Sequence, residues 1–219
     1  MSKILIIAPH ADDETLGCGG SIFRHKQNGD EVHLLIVTCI NKTANTNEIK
    51  KHFQQRDIAT EKYGFKSIVP LDLPSTKIDT FPISDLVQKI TNIYKDTEPE
   101  IIYSPYIKDV HTDHQLIAKA IQSTLKWFRY PYIKKVLMYE TPSETEFNFM
   151  EKDRFRPNVF MDISDHLEDK INVMKLYEDQ IGEFPFPRGE EILRALAALR
   201  GSQSGYRAAE AFELVYQRL

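Results

Sequence analysis

Two short polar clusters, about a hundred residues apart, hold the side chains most able to do chemistry. His10-Ala11-Asp12-Asp13-Glu14 sets an imidazole and three carboxylates directly after the apolar run from Ile4 to Ala8 and Pro9, and His111-Thr112-Asp113-His114 follows another apolar run that ends at Pro105. Carboxylates crowded this closely repel one another unless a cation takes them up. Zinc accepts imidazole nitrogen and carboxylate oxygen, and its catalytic sites keep three protein ligands and one open position for water. His10, His114 and one of the pair Asp12 and Asp13 would make such a set, and the ion would bring the pKa of a water toward neutrality. The aspartate left over is placed to act as a general base. His111, its ring held by Asp113, would stabilise an oxyanion or protonate a departing amine. Together these parts describe a metal-assisted hydrolase of an acyl bond. A set of two histidines and one carboxylate also suits Fe²⁺, with zinc the preferred ion.

Such residues need a frame that brings both clusters to one place. Residues 4–8 are continuously apolar and β-branched, as expected of a strand buried on both faces. Strands are also expected over 31–38, 67–73, 100–105, 135–141 and 159–163, and helices over 15–28, 48–63, 82–96, 114–129, 166–181 and 190–199. The repeated strand-helix order predicts a single-domain Rossmann-like α/β sandwich over residues 1–219, with a mostly parallel sheet and helices on both faces. A strand order of 3-2-1-4-5 would make strands one and four neighbours at the switch point, where open sheets bind ligands. Gly17, Gly19 and Gly20 allow the first helix to approach the sheet. They do not form Gly-x-Gly-x-x-Gly, and the acidic residues ahead of them would repel a pyrophosphate. The polar loop 41–47 is long enough to border a pocket, the stretch 142–158 carries no clear element and suits a lid, and residues 184–188 are placed to wrap back over the site.

Composition narrows the partners. A net charge of −4, with both signs mixed along the chain, leaves no basic footprint for nucleic acid or an anionic membrane. No apolar stretch approaches the roughly 20 residues that span a bilayer. Cys18 and Cys39 have no Cys-x-x-Cys spacing and read as small buried residues. The expectation is a reduced, cytoplasmic protein acting on a small molecule, with a homo-oligomer as an open possibility. His25, His33, His52 and His166 fall in ordinary helix or strand patterns and are read as structural or surface residues.

These residues resemble the LmbE-like, or PIG-L, family of N-acetylglucosaminyl deacetylases, whose signatures Pro-His-x-Asp-Asp-Glu and His-x-Asp-His are matched by Pro9 to Glu14 and His111 to His114. Val159 to Ser164, Tyr177 to Gln180 and Ala209 to Glu213 resemble its later landmarks. The resemblance implies a zinc-dependent N-deacetylase acting on an N-acetylated amino sugar or its conjugate. It assigns His10, Asp13 and His114 as metal ligands, Asp12 as general base, and His111 as general acid or oxyanion stabiliser supported by Asp113. Glu14 becomes a supporting residue, and Arg56 a substrate contact. Ala11 and Thr112 depart from the prolines commonest in the two signatures, at linker positions. Asp109 stands where some relatives carry a tyrosine near the substrate.

Two other classes compete. An Asp-Asp pair after the first strand also suits a Mg²⁺-dependent phosphoryl-transfer enzyme, but such sites use oxygen ligands, and three histidines at one edge argue against it. A silent binding module would be expected to lack Asp12 or a ligand, and none is missing.

Overall fold

The computed structural model of the chain describes residues 1–40 and 46–219. Residues 41–45 of the expected pocket-bordering loop lie outside the described residues. Seven strands, Lys3–Ala8 (β1), Glu31–Cys39 (β2), Ser67–Pro74 (β3), Ile101–Pro105 (β4), Lys135–Tyr139 (β5), Val159–Asp162 (β6) and Ala209–Gln217 (β7), form one sheet in the order β3-β2-β1-β4-β5-β7-β6. The helices are Asp13–Gln27 (α1), Thr46–Tyr63 (α2), Ile83–Thr97 (α3), Thr112–Thr124 (α4), Leu167–Met174 (α5) and Glu190–Ser204 (α6). Neighbours among β1 to β5 pair in parallel, in the expected order, whereas β7 runs antiparallel to both β5 and β6.

The apolar run in β1 is buried because both sides of the sheet are covered. Ile4, Ile6 and Ala8 pack on one side with Leu16 and Ile22 of α1 and Ile171 and Met174 of α5. Leu5 and Ile7 point the other way, among Leu86 and Ile90 of α3 and Ile117 and Ile121 of α4. Full burial of side chains this size stabilises the fold by about 1.5–3 kcal/mol each. The close approach expected of the α1 glycines is seen at Gly17, where an added Cβ would lie 2.2 Å from the Tyr139 ring. Among the described residues, no helix is long and apolar enough to cross a membrane.

Three elements differ from expectation. The helix expected over 114–129 begins earlier, at Thr112, because the His111 ring accepts a hydrogen bond from the Asp113 N–H and caps it. The helix expected over 166–181 ends at Met174 and continues as turns in which Tyr177 N–H donates to Met174 and Gln180 N–H to Tyr177. That break frees Tyr177 and Gln180 to reach the site described below. Finally, residues 209–217 form a full strand inserted between β5 and β6. Its pairing partners lie far away in sequence, so local pattern could not distinguish it from a terminal tail.

Candidate active site

β1 and β4 are hydrogen-bonded neighbours, with Ile6 opposite Tyr103, so the turns leaving their carboxyl ends emerge side by side. This is the point where strand order reverses. Asp12 sits at the start of α1 with φ 148°, a region costly for a residue with a side chain. The conformation is held by its surroundings. Glu14 Oε2 accepts from Asp12 N–H at 3.1 Å, and the Asp12 carbonyl accepts from Thr15 and Leu16 N–H at 2.9 and 2.8 Å. Glu14 is itself fully buried, and its other oxygen accepts from the Tyr177 hydroxyl at 2.7 Å. The break after α5 therefore serves the turn that presents Asp12.

Three donor atoms from the two clusters converge. His10 Nδ1 lies 3.1 Å from Asp13 Oδ2, His114 Nε2 lies 3.2 Å from the same oxygen, and the two nitrogens are 3.3 Å apart. A tetrahedral zinc ion with bonds of roughly 2.0–2.2 Å sets its ligand atoms about 3.3–3.6 Å from one another. The observed triangle is close to one face of that tetrahedron. Ligating imidazoles also donate their far N–H to a fixed acceptor, and both do so here. His10 Nε2 faces Asp113 Oδ2 at 3.2 Å, and His114 Nδ1 faces Asp109 Oδ2 at 2.8 Å. Each near nitrogen is thereby left with its lone pair toward the centre. The three histidines His10, His111 and His114 also bring ligand atoms within 4.8 Å of one another, but the tighter set uses Asp13 in place of His111.

The electrostatics show a site that calls for positive charge. Burial works against protonating either ring, yet hydrogen bonds to Asp113 and Asp13 raise His10 to about 9, and Asp13 with Asp109 raises His114 to about 10. Burial also opposes ionisation of Asp13, but the two imidazoles hold its carboxyl well below the ordinary range. The same negative surroundings would favour a divalent cation between the two rings. Asp12 differs from Asp13: burial and then the charge of Asp13 push it up to about 7, against the pull of Arg188. Asp109 is pushed up to about 6 by burial, opposed by its bond to His114.

His111 stands beside the triangle, its ring centroid 4.5 Å from that of His10. Its Nδ1 accepts from the Asp113 N–H at 3.1 Å, which puts the proton of the neutral ring on Nε2. Burial and the charges of His10 and His114 lower it to about 4. Asp113 meets His111 through its backbone N–H, while its carboxylate faces His10 at 3.2 Å and accepts from Thr76 N–H at 2.7 Å.

A cavity of about 240 Å³ opens over these groups, lined by His10, Asp12, His52, His111, Gln180 and Arg188 among others. A larger cavity of about 490 Å³, lined by Phe149, Phe155, Leu196 and Leu199, begins at the Thr141–Thr145 turn. It contains no histidine, and the chemistry belongs to the smaller space. His52, read from its helical pattern as structural, lines the reactive cavity. Arg56, expected to contact substrate, does not line it: its guanidinium lies 2.8 Å from Asp57, 3.7 Å from Asp72 and 4.7 Å from the centre of the Phe53 ring. Residues 184–188 do reach the site, as expected, but through a residue that sequence reasoning did not single out. Arg188 Nη1 donates to Asp12 Oδ2 at 2.8 Å. Asp109 was likewise given no role beside the metal. Its only sequence signal was a carboxylate five residues before His114 in the same strand-end loop.

The chain is 28% identical over 232 residues to a diacetylchitobiose deacetylase of Thermococcus kodakarensis, covering 98% of this chain and 84% of that protein. The N,N′-diacetylchitobiose deacetylase of Pyrococcus horikoshii superposes with a TM-score of 0.78 at 21% identity, over 98% of this chain and 84% of that one. The fold is also shared with GalB, the 4-carboxy-2-hydroxymuconate hydratase of Pseudomonas putida KT2440, with a TM-score of 0.75 at 18% identity over 100% and 98% of the two chains. Residues 5–125, which include both histidine clusters and the strands that deliver them, match the PIG-L model, described as GlcNAc-PI de-N-acetylase, and the chain belongs to that family.

Proposed function

We propose that the protein is a metal-dependent N-deacetylase that removes the acetyl group from an N-acetylated amino sugar or its conjugate, with His10, Asp13 and His114 holding a zinc ion. One observation carries the reading: the triangle of 3.1, 3.2 and 3.3 Å among His10 Nδ1, Asp13 Oδ2 and His114 Nε2, whose two imidazoles are each fixed from behind by a carboxylate. Fe²⁺ fits the same donors.

A bound divalent cation would supply Lewis acidity toward water and the acyl oxygen. The chain's own residues do the rest. Asp12 is the general base. Oδ2 is held by Arg188 and, among the described residues, no donor meets Oδ1, so Oδ1 takes the proton of the water that adds to the acetamide carbon. His111 donates from Nε2 to the carbonyl oxygen as that oxygen gains charge, since Nδ1 is occupied by the Asp113 N–H. Of the two roles considered for His111, this hydrogen bond favours the oxyanion role. As the C–N bond breaks, the proton held on Asp12 passes to the nitrogen, giving acetate and the free amine. Gln180 and His52, on the cavity wall, would meet the sugar.

The test is a panel of N-acetylglucosamine, N,N′-diacetylchitobiose and further N-acetylated sugars incubated with zinc- or iron-loaded protein, with free acetate measured. Acetate release that Asp12→Asn lowers to a small residual rate while metal content stays constant supports the reading. Unchanged metal content in His114→Ala overturns the ligand set. The fold shared with a hydratase favours one other use of an activated water, addition to a double bond. That use would leave the panel unchanged and release no acetate.

A further inference from the structure

Asp12 is pinned through its backbone, but its carboxylate is not. Its carbonyl and N–H are both taken by α1 and Glu14, whereas among the described residues the only donor to its side chain is Arg188 Nη1. A carboxylate next to Asp13 and Glu14, 3% exposed, has every electrostatic reason to rotate away from them. Something must aim it.

Arg188 is built to do so. Its Nη1 is shared between Asp12 Oδ2 at 2.8 Å and Gln180 Oε1 at 2.7 Å, its Nε donates to Ser143 Oγ at 2.7 Å, and its Nη2 approaches Glu144 Oε1 at 3.4 Å. The socket thus draws on the turn after α5 and on the turn after β5. A guanidinium satisfied on three sides has one orientation, and Arg rather than Lys offers such a planar fork. The backbone that carries it is also tightly set. A Cβ on Gly189 would lie 2.8 Å from the Gly182 carbonyl, so the segment 182–189 closes on itself just before α6.

We propose that Arg188 is a positioning residue: it grips one oxygen of Asp12 and so turns the other toward the substrate, coupling the C-terminal segment and the Ser143-Glu144 turn to the general base. This rests on the reading of Asp12 as base. A remote arginine is not needed to fold the first turn of α1, which Glu14 and Tyr177 already hold.

The experiment uses full-length metal-loaded protein with N,N′-diacetylchitobiose and N-acetylglucosamine, following acetate, bound metal and thermal unfolding. Misplacing a reacting group by an ångström costs about 10²-fold, so Arg188→Met is expected to lower kcat by about that factor with KM and metal content nearly unchanged. Arg188→Lys restores part of kcat. In an Asp12→Asn background Arg188→Met has no further effect, because the residue acts through Asp12. A rise in KM at constant kcat, or multiplicative losses in the double variant, overturns the proposal. If Arg188→Met does not fold, Arg188→Lys and the Ser143→Ala variant, which removes one wall of the socket, must still lower kcat rather than raise KM. Asp12→Asn with full activity would instead overturn the assignment of the base, whatever Arg188 does.

Discussion

Asp109→Asn isolates the link between a buried carboxylate and the proposed metal site. Asp109 is fully buried and has two donors to satisfy: His114 Nδ1 at 2.8 Å on Oδ2, and the Thr145 hydroxyl at 2.6 Å on Oδ1. Asparagine has nearly the same shape but only one acceptor oxygen, and its NH₂ would face a donor. Either the Thr145 hydroxyl or the His114 ring then loses its acceptor. If the oxygen stays with Thr145, His114 turns or changes tautomer and its Nε2 no longer offers a lone pair to the triangle. Loss of such a supporting partner weakens metal binding by roughly 10–100-fold, which is about 1.4–2.7 kcal/mol. The assay is competition for Zn²⁺ against a chromophoric chelator at fixed pH, with thermal unfolding of the metal-free protein as a control for folding. Chelator competition indistinguishable from the parent protein, in a variant that folds, would refute the idea that Asp109 orients a metal ligand.

Three other perturbations follow from the same contacts. His52→Ala should raise KM by roughly the worth of one hydrogen bond, several-fold, whereas Arg56→Ala, whose guanidinium is turned to Asp57, Asp72 and Phe53, should leave KM and kcat nearly unchanged in steady-state kinetics. Lys170 and Glu210 form a buried pair at 2.6 Å whose carboxylate also accepts from Gly20 and Ser21 N–H; Lys170→Met strands that charge at a cost of about 3–5 kcal/mol, so calorimetry should show Tm lower by roughly 6–20 °C. His25 Nδ1 faces Asp30 Oδ2 and Nε2 faces the Tyr103 hydroxyl, both at 2.8 Å, an arrangement a neutral ring satisfies by donating to Asp30 and accepting from Tyr103. Burial lowers its pKa below the ordinary 6.5 despite Asp30, so below that pH the unfolded chain binds more protons and stability falls as pH drops. Denaturant midpoints between pH 7 and 5 should decline less steeply in His25→Gln than in the parent protein, and equal slopes would count against the neutral ring.

Much of this was legible along the chain because it is local. Apolar β-branched runs that end in polar turns identified the strands, their alternation with helices implied a parallel sheet, and the clusters holding His10, Asp12, Asp13, His111 and His114 pointed to one sheet edge, where they converge. The order of β1 to β5 is the common one for a doubly wound sheet, and it sets β1 beside β4 at the switch point. The strand β7 was missed for a physical reason: its partners β5 and β6 lie well before it in sequence, and pairing energy rather than intrinsic preference makes it a strand.

What only the tertiary structure decided is which groups face which. Sequence placed Asp113 beside His111, but the turn of α4 aims its carboxylate at His10 and leaves His111 to its backbone N–H. Residues four apart share a helix face, so spacing alone does not say which of them meets the cavity: His52 lines it, while Arg56, one turn further along, is directed to Asp57 and Asp72. The grip of Arg188 on Asp12 joins residues 176 positions apart, a contact that depends on the whole C-terminal segment folding back. Residue types and local spacing determine what chemistry is available; the relative orientation of distant side chains, fixed by packing, determines which of them perform it.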